Sequence, residues 1–471
     1  MIEKEWLTLP LLPGVERIVL VCKTERLIGG DSATANPAAE LTQMNPTSFS
    51  LEGTSPFLAP SPQPSPSAKM AVSTGRLGSA INSMVLVTPS VQQNGNFLHS
   101  LENLIESGDV VELAKTKQGC FLLQQNVPLC DQRLRAKLYN AFLQKDVFYT
   151  LCGDPSGNFF MQKLMDRSSP VEHPVIVSLV QGYLTALSCN RYSTRVMQKL
   201  WLKLNDELRM VLLDELKGRE IDIAVDPNGT HLIQRIIEGA PISIYGPIVE
   251  TFVSTNVRLR TIAEGRSGRR IVQLVFQKLG NDILLPHSED AKALLEKLMQ
   301  GMMLNFEQFV NHQFANYVIQ YIISAQVFTR YTTEAIKKLF GKLLILSQEK
   351  YASHVVERAL EFGNTKVVGA IMDEIFNGYE HDSDGADALE ILLFDQFGNY
   401  VVQKMFEIAI DVRVGKRDGS TYWFDVLAQR IHQRYHQLRK YSSGLRLIGR
   451  LASATELLIA QDSNYNVVAE E

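Results

Sequence analysis

The chain has 471 residues, 45% of them hydrophobic and 8% aromatic, which is enough apolar material for a large core or a long array of repeats. No run of about 18 apolar residues occurs, so a membrane span is not expected, and the opening Met-Ile-Glu-Lys-Glu-Trp lacks the basic and apolar segments of a secretory signal. A formal net charge of -4 argues against a nucleic-acid binder that works by bulk electrostatics, so any basicity that matters must be local.

Residues 1–95 mix small and polar residues with Pro and Ser, most densely between Ser55 and Ser67. Such a segment buries too little to offset its ordering entropy and is expected to be a disordered N-terminal region. Ser55, Ser61 and Ser65 each precede Pro, which suits either proline-directed phosphorylation or a plain linker. The five cysteines, Cys22, Cys120, Cys130, Cys152 and Cys189, are odd in number and contain no Cys-x-x-Cys pair. Reduced thiols in an intracellular, cytoplasmic setting are the simplest reading.

From Asn96 onward the pattern is helical, broken at short Gly, Pro or Asn stretches, and residues 96–471 read as one repeat domain. One phrase recurs eight times: two variable residues, two apolar residues, then Gln or Glu. The copies are Cys120-Phe121-Leu-Leu-Gln124, Asn158-Phe159-Phe-Met-Gln162, Thr194-Arg195-Val-Met-Gln198 and Thr230-His231-Leu-Ile-Gln234. They continue as Arg269-Arg270-Ile-Val-Gln273, Asn316-Tyr317-Val-Ile-Gln320, Ser353-His354-Val-Val-Glu357 and Asn399-Tyr400-Val-Val-Gln403. Their first residues are 38, 36, 36, 39, 47, 37 and 46 positions apart, a period in the helical-solenoid range with two insertions.

At about 100° per residue, the first, second and fifth residues of the phrase fall in one sector of a helix and the third and fourth point the other way. Polar and flat groups are therefore expected to project together while the apolar pair enters the core. Before each phrase lies a loop such as Gly153–Gly157, Asp226–Gly229 or Asp395–Gly398, whose Gly would accept a left-handed turn, and before that an amphipathic segment such as Leu134–Leu143. Each unit reads as helix, turn, helix.

The residue after the phrase is Lys163, Lys199, Arg235, Arg358 or Lys404 in five copies, placed either to reach a phosphate backbone or simply to solvate a helix face. Two loops exceed the period: Leu279–Asp290, between the fifth and sixth copies, and the acidic Asn377–Asp387, before the eighth. No Gly-rich phosphate loop, His-Glu-x-x-His or nucleophile elbow occurs, the nine His are scattered, and neither an enzyme nor a cofactor or metal site is expected. What remains is an all-α array of polar trios, which suits a nucleic-acid reader or a scaffold that holds a protein in its groove.

The phrases Gly398-Asn-Tyr-Val-Val-Gln-Lys404, Ala315-Asn-Tyr-Val-Ile-Gln320 and Ala352-Ser-His-Val-Val-Glu357 resemble the RNA-reading helices of the Pumilio (PUF) family. The resemblance covers residues 96 to about 460, with an N-terminal cap near Val110–Gln118 and Leu438–Gly444 similar to the family's closing repeat. It implies a crescent-shaped, right-handed superhelical solenoid of eight three-helix repeats plus terminal caps, acting as a monomer. It also implies that single-stranded RNA lies antiparallel to the chain, one base per repeat. First and fifth residues would meet a base edge while the second stacks between bases: Phe121, Phe159, Arg195, His231, Arg270, Tyr317, His354 and Tyr400.

In the family's code, Asn399/Gln403 implies uracil, Ser353/Glu357 guanine and Asn316/Gln320 uracil, giving 5'-UGU read from the C-terminal end. At the other end Asn158/Gln162 implies uracil and Cys120/Gln124 adenine, with Thr194/Gln198 similar to the adenine pair. The expectation is 5'-UGUNNAUA-3' in mRNA 3'-UTR elements, with control of mRNA stability or translation through deadenylation and repression factors. Thr230 and Arg269 depart from the family pattern, and Arg269 is left with two readings, a phosphate contact or a base turned away. By position alone, Asn377–Asp387 resembles the family loop that touches protein partners. A sequence-blind RNA binder of ribosome assembly is the other relative to weigh.

Overall fold

The computed structural model describes residues 6–8, 20–22, 91–127 and 131–468. The chain forms two compact units, 1–76 with 455–471 and 77–454. In the first, Trp6–Thr8 and Leu20–Cys22 pair antiparallel, with Leu7 opposite Val21. Residues 91–95, expected within the disordered region, are helical; the rest of that expectation and the Ser-Pro sites otherwise lie outside the described residues, as does Cys130. Cys120, Cys152 and Cys189 are free thiols.

The second unit is the expected all-α solenoid of eight three-helix repeats. Each repeat has a short first helix, a second helix that carries the phrase, and an amphipathic third helix. The second repeat shows the plan: Lys145–Cys152, Gly157–Arg167 and His173–Val180. The eight second helices are Lys117–Asn126, Gly157–Arg167, Ser193–Lys203, Thr230–Gly239, Gly268–Asp282, Asn316–Ser324, Ala352–Phe362 and Gly398–Arg413. They pack one on the next in chain order, and the fifth-to-sixth contact is the sparsest of the row. Val110–Lys115, expected within the cap, is the first helix of repeat one; the N-terminal cap is Val91–Ser107. At the other end Tyr435–Leu438 and the start of the helix Ser442–Val468 close the array, where Arg450 donates to the Gln403 carbonyl.

The apolar pairs do what their spacing asks. Phe160 with Met161, Val318 with Ile319, and Val401 with Val402 are fully buried, each side chain stabilising by about 1.5–3 kcal/mol. Third helices begin where a side chain can cap them: Asp131, Asn205 and Asn364 accept from the backbone N–H three residues on.

The loop glycines act differently from the expectation. Among the described residues the left-handed glycines are Gly108, Gly182, Gly218, Gly341, Gly385 and Gly415, and Gly182 and Gly218 sit where one repeat hands over to the next. Gly157, Gly229, Gly268 and Gly398 are not among them. They are small because the second helix starts hard against the first: a Cβ on Gly268 would lie 2.3 Å from the Ile262 carbonyl, and one on Gly398 2.6 Å from Leu392 Cδ2. Repeat three has Ser193 at this place and donates its Oγ to the Leu187 carbonyl instead.

The two insertions also differ. Leu279–Asp290 lengthens the fifth repeat's helices, Gly268–Asp282 and Glu289–Leu304, and leaves only a short turn between them. The second is a true loop between Thr365–Asn377 and Ala388–Phe394, pinned where the Tyr379 hydroxyl donates to Glu374 and accepts from Leu344 N–H.

Candidate nucleic-acid interface

Every second helix starts from a loop, and in six of the eight the residue four before the phrase sets that start. Asp154 Oδ1 accepts from Ser156 and Gly157 N–H at 2.8 and 2.7 Å, and Asp395 Oδ1 does the same for Phe397 and Gly398. Asn190 and Asp226 repeat the arrangement. In repeat six the acceptor is His312 Nδ1, which takes Phe314 and Ala315 N–H at 3.2 and 3.3 Å. Thr116 Oγ1 holds Gly119 N–H in repeat one. These side chains fill helix N-terminal donors that the helix itself leaves open. Repeat five has Gly265 at this position, so no side chain there can accept.

The same loops orient the first residue of the phrase. Asn399 Nδ2 donates to the carbonyls of Asp395 and Gln396, and Asn158 to those of Asp154 and Pro155. Asn316 Nδ2 donates to the His312 carbonyl at 2.7 Å. The Asn Oδ1 then accepts from the fifth residue: Gln162, Gln320 and Gln403 donate at 3.0, 2.7 and 2.9 Å. An uninterrupted chain of hydrogen bonds thus runs from loop backbone to the amide at the fifth position. Thr194 and Thr230 accept from Gln198 and Gln234 in the same way. Gln124 Nε2 reaches the Cys120 Sγ and carbonyl. Burial pushes the Cys120 thiol up, and the neutral S–H donates to the Ser156 carbonyl of the next repeat.

The trio therefore does not project as one set. Seven of the eight first residues are buried; Asn316 is 1% and Ser353 2% exposed. The reason is the next repeat, whose loop covers them: Thr194 Oγ1 donates to the Asn228 carbonyl as Cys120 does to Ser156. Fifth residues lie above them, Gln198 and Gln403 buried and Gln124, Gln162, Gln234, Gln273, Gln320 and Glu357 half-buried. The second residues alone stand out. Phe121, Phe159, Tyr317 and Tyr400 are 59%, 56%, 44% and 47% exposed, large flat surfaces. Arg195, Arg270 and His354 are exposed and His231 is half-buried. His354 Nδ1 lies 3.1 Å from Glu357 Oε1, so repeat seven couples its ring to its carboxylate.

Repeat five breaks the pattern. Arg269 is half-buried, its guanidinium 4.3 Å from the centre of the Tyr317 ring and 5.9 Å from that of Phe314. Its Nε is buried without a hydrogen-bond partner. Gln273 donates to the Tyr317 carbonyl, across to repeat six, at 3.0 Å.

Four of the five basic residues after the phrase are held by carboxylates: Lys199 by Asp166, Arg235 by Glu238, Arg358 by Glu361 and Lys404 by Glu407. That favours the solvated-face reading over a standing row of phosphate contacts. No described helix is long and apolar enough to cross a membrane. Among the described residues no cluster of His, Cys, Asp and Glu could hold a metal ion.

The model of the Pumilio-family RNA binding repeat matches residues 109–141, 148–179, 183–217, 221–243, 305–325, 342–376 and 394–411. The matched segments leave out 244–304, which contains the fifth repeat. Fem-3 mRNA-binding factor 1 of Caenorhabditis elegans is 33% identical over 398 residues, 78% of this chain and 65% of that protein. The chain spans 63% of Fem-3 mRNA-binding factor 2 from the same organism. Pumilio domain-containing protein 6 of C. elegans is 32% identical over 74% of this chain and 75% of its own length. The crystal structure of PUF-6 in complex with 5BE13 RNA superposes with a TM-score of 0.69 at 29% identity, over 75% of this chain and 99% of that one. The Puf4 RNA binding domain bound to HO endonuclease RNA shares the fold, with a TM-score of 0.60 at 24% identity over 72% of this chain and 97% of that one.

Proposed function

Since the chain belongs to the Pumilio (PUF) family, we propose that it binds single-stranded RNA along the row of second helices and reads UGU-containing mRNA elements, 5'-UGUNNAUA-3'. The observation that carries this reading is the alternation of exposed second-position rings with hydrogen-bonded first and fifth residues beneath them. Bases stacked between successive second residues gain about 1–3 kcal/mol each. The edges they present then meet amides held in place before RNA arrives, so little ordering entropy is lost on binding.

Repeat eight reads uracil with Asn399 and Gln403, repeat seven guanine with Ser353 and Glu357, and repeat six uracil with Asn316 and Gln320. Glu357 suits guanine because a carboxylate only accepts and the guanine edge offers two adjacent donors, N1 and N2. Repeats three, two and one read A, U and A with Thr194/Gln198, Asn158/Gln162 and Cys120/Gln124. The chain works as a cytoplasmic monomer and lowers the stability or translation of the mRNAs it holds, through deadenylase and repression proteins. The acidic loop between repeats seven and eight is a surface for such partners, since its carboxylates would repel RNA.

Fluorescence-polarisation titration of the full chain with 5'-UGUAAAUA-3' and its ACA variant tests the reading. Tight binding to the first and a loss of about 100-fold or more on the second is the expected result, since each well-read base is worth about 1–3 kcal/mol. Equal affinity for both would leave an RNA binder without sequence preference, and binding to neither would favour a protein scaffold.

A further inference from the structure

We propose that the fifth repeat reads no base edge: Arg269 occupies the stacking face of Tyr317 and stands in for the fourth nucleobase of the element, which is turned out to solvent. This deepens the RNA-reading proposal and rests on it. With one base per repeat, the fourth base would lie between the second residues of repeats five and six, Arg270 and Tyr317. The guanidinium of Arg269 is already there, 4.3 Å from the Tyr317 ring centre, a cation–π distance, with the Phe314 ring at 5.9 Å. A planar cation over an aromatic face fills the volume that a base would fill and satisfies the same ring.

The edge-reading pair is dismantled as well. In repeats one, two, three, four, six and eight the fifth residue donates to the first residue of its own repeat. Gln273 instead donates to the Tyr317 carbonyl. Arg269 has no acceptor to offer Gln273, because a guanidinium carries donors only. The loop gives no help: Gly265 stands where six other repeats have an anchoring acceptor, and Glu264 beside it is committed to Arg260 and Gln308. The sparse packing of the fifth on the sixth second helix leaves the room that the arginine takes. Arg269 is thus a specificity-determining residue that acts by exclusion, and the stack continues from the third base through Tyr317 to Arg269.

The test uses the full chain and four RNAs, 5'-UGUNAAUA-3' with each base at N, alongside UGU-substituted controls. The wild-type Kd should vary less than about threefold across the four, while each substitution in UGU weakens binding about tenfold or more. Arg269→Cys restores the Cys/Gln pair, and Arg269→Ser its oxygen counterpart; both should favour adenine at N by about fivefold or more. With 2-aminopurine at N, fluorescence should stay high in the wild-type complex and fall in the Arg269→Cys complex, where the base is stacked. Wild-type discrimination of more than tenfold at N that vanishes in Arg269→Ala would overturn the proposal, because Arg269 would then be reading the base. A quenched 2-aminopurine in the wild-type complex would overturn it too. Indifference to the UGU substitutions would sink the RNA-reading proposal itself, a result distinguishable from either.

Discussion

Repeats eight and five share one helical plan and differ in how their second helices begin. In repeat eight Asp395 grips the helix start, its carbonyl orients Asn399, and Asn399 orients Gln403. In repeat five Gly265 grips nothing, Arg269 turns to the neighbouring ring, and Gln273 follows it across the repeat boundary. The two differ at the first residue as well as at the acceptor four before it: Asn399 offers Gln403 its Oδ1, and the Arg269 side chain offers Gln273 no acceptor. Repeat six shows that the chemistry can vary, since His312 does through an imidazole nitrogen what Asp395 does through a carboxylate.

The strongest way to break this contrast is to remove the edge pairs. Asn399→Ala with Gln403→Ala should weaken binding of UGU RNA by about 1–3 kcal/mol, or roughly 5- to 150-fold in Kd. Gln273→Ala should change it less than about twofold in the same titration. Next in size is the stack: Tyr400→Ala should cost about 1–2 kcal/mol for every RNA that carries a base at the first position, whatever that base is, because ring stacking tolerates all four. A Tyr400→Ala loss that depended on base identity would put part of the edge reading in that ring.

The anchor itself comes third. Asp395→Ala should lower stability by about 1 kcal/mol in thermal unfolding followed by circular dichroism, and His312→Ala by a similar amount. Glu349→Ala, at the exposed equivalent position of repeat seven, should leave the midpoint unchanged.

The smallest effect is one of pH. Burial alone would raise Asp387, but the Arg430 guanidinium and the Glu390 N–H outweigh it and hold its carboxyl below the usual range. A carboxylate depressed in the folded state stabilises above its unfolded pKa of about 3.9, and that contribution is lost as pH falls through the lower folded value. Asp387→Asn should therefore cost stability at neutral pH and flatten the acid limb of the unfolding curve.

Much of this was legible beforehand. Eight phased copies of a variable pair, an apolar pair and Gln/Glu announce a helical array, and the burial of pairs such as Val401 and Val402 follows from helix geometry alone. The burial of Asn316 or Thr194 could not be read, because it comes from the next repeat's loop rather than from their own helix. The anchors were visible as residues and hidden as a class, since Thr116, Asp154, Asn190, Asp226, His312 and Asp395 are four residue types with one shared task. Gly157 and Gly398 suggested backbone freedom, and their real reason, a carbonyl or methyl of the preceding helix too near for a Cβ, needs coordinates. Arg269 stood out as a departure; its partner Tyr317 lies 48 residues on, beyond any local pattern.

The thin contact between the fifth and sixth second helices has a further consequence. In an array whose stability is a sum of unit and neighbour terms, the weakest coupling marks where cooperativity divides. Hydrogen exchange should therefore show two blocks that open independently, repeats one to five and repeats six to eight, with the boundary at the Gln273 to Tyr317 hydrogen bond. The UGU-reading end could then hold its shape while the rest breathes, so that the two halves of an RNA element are engaged in succession.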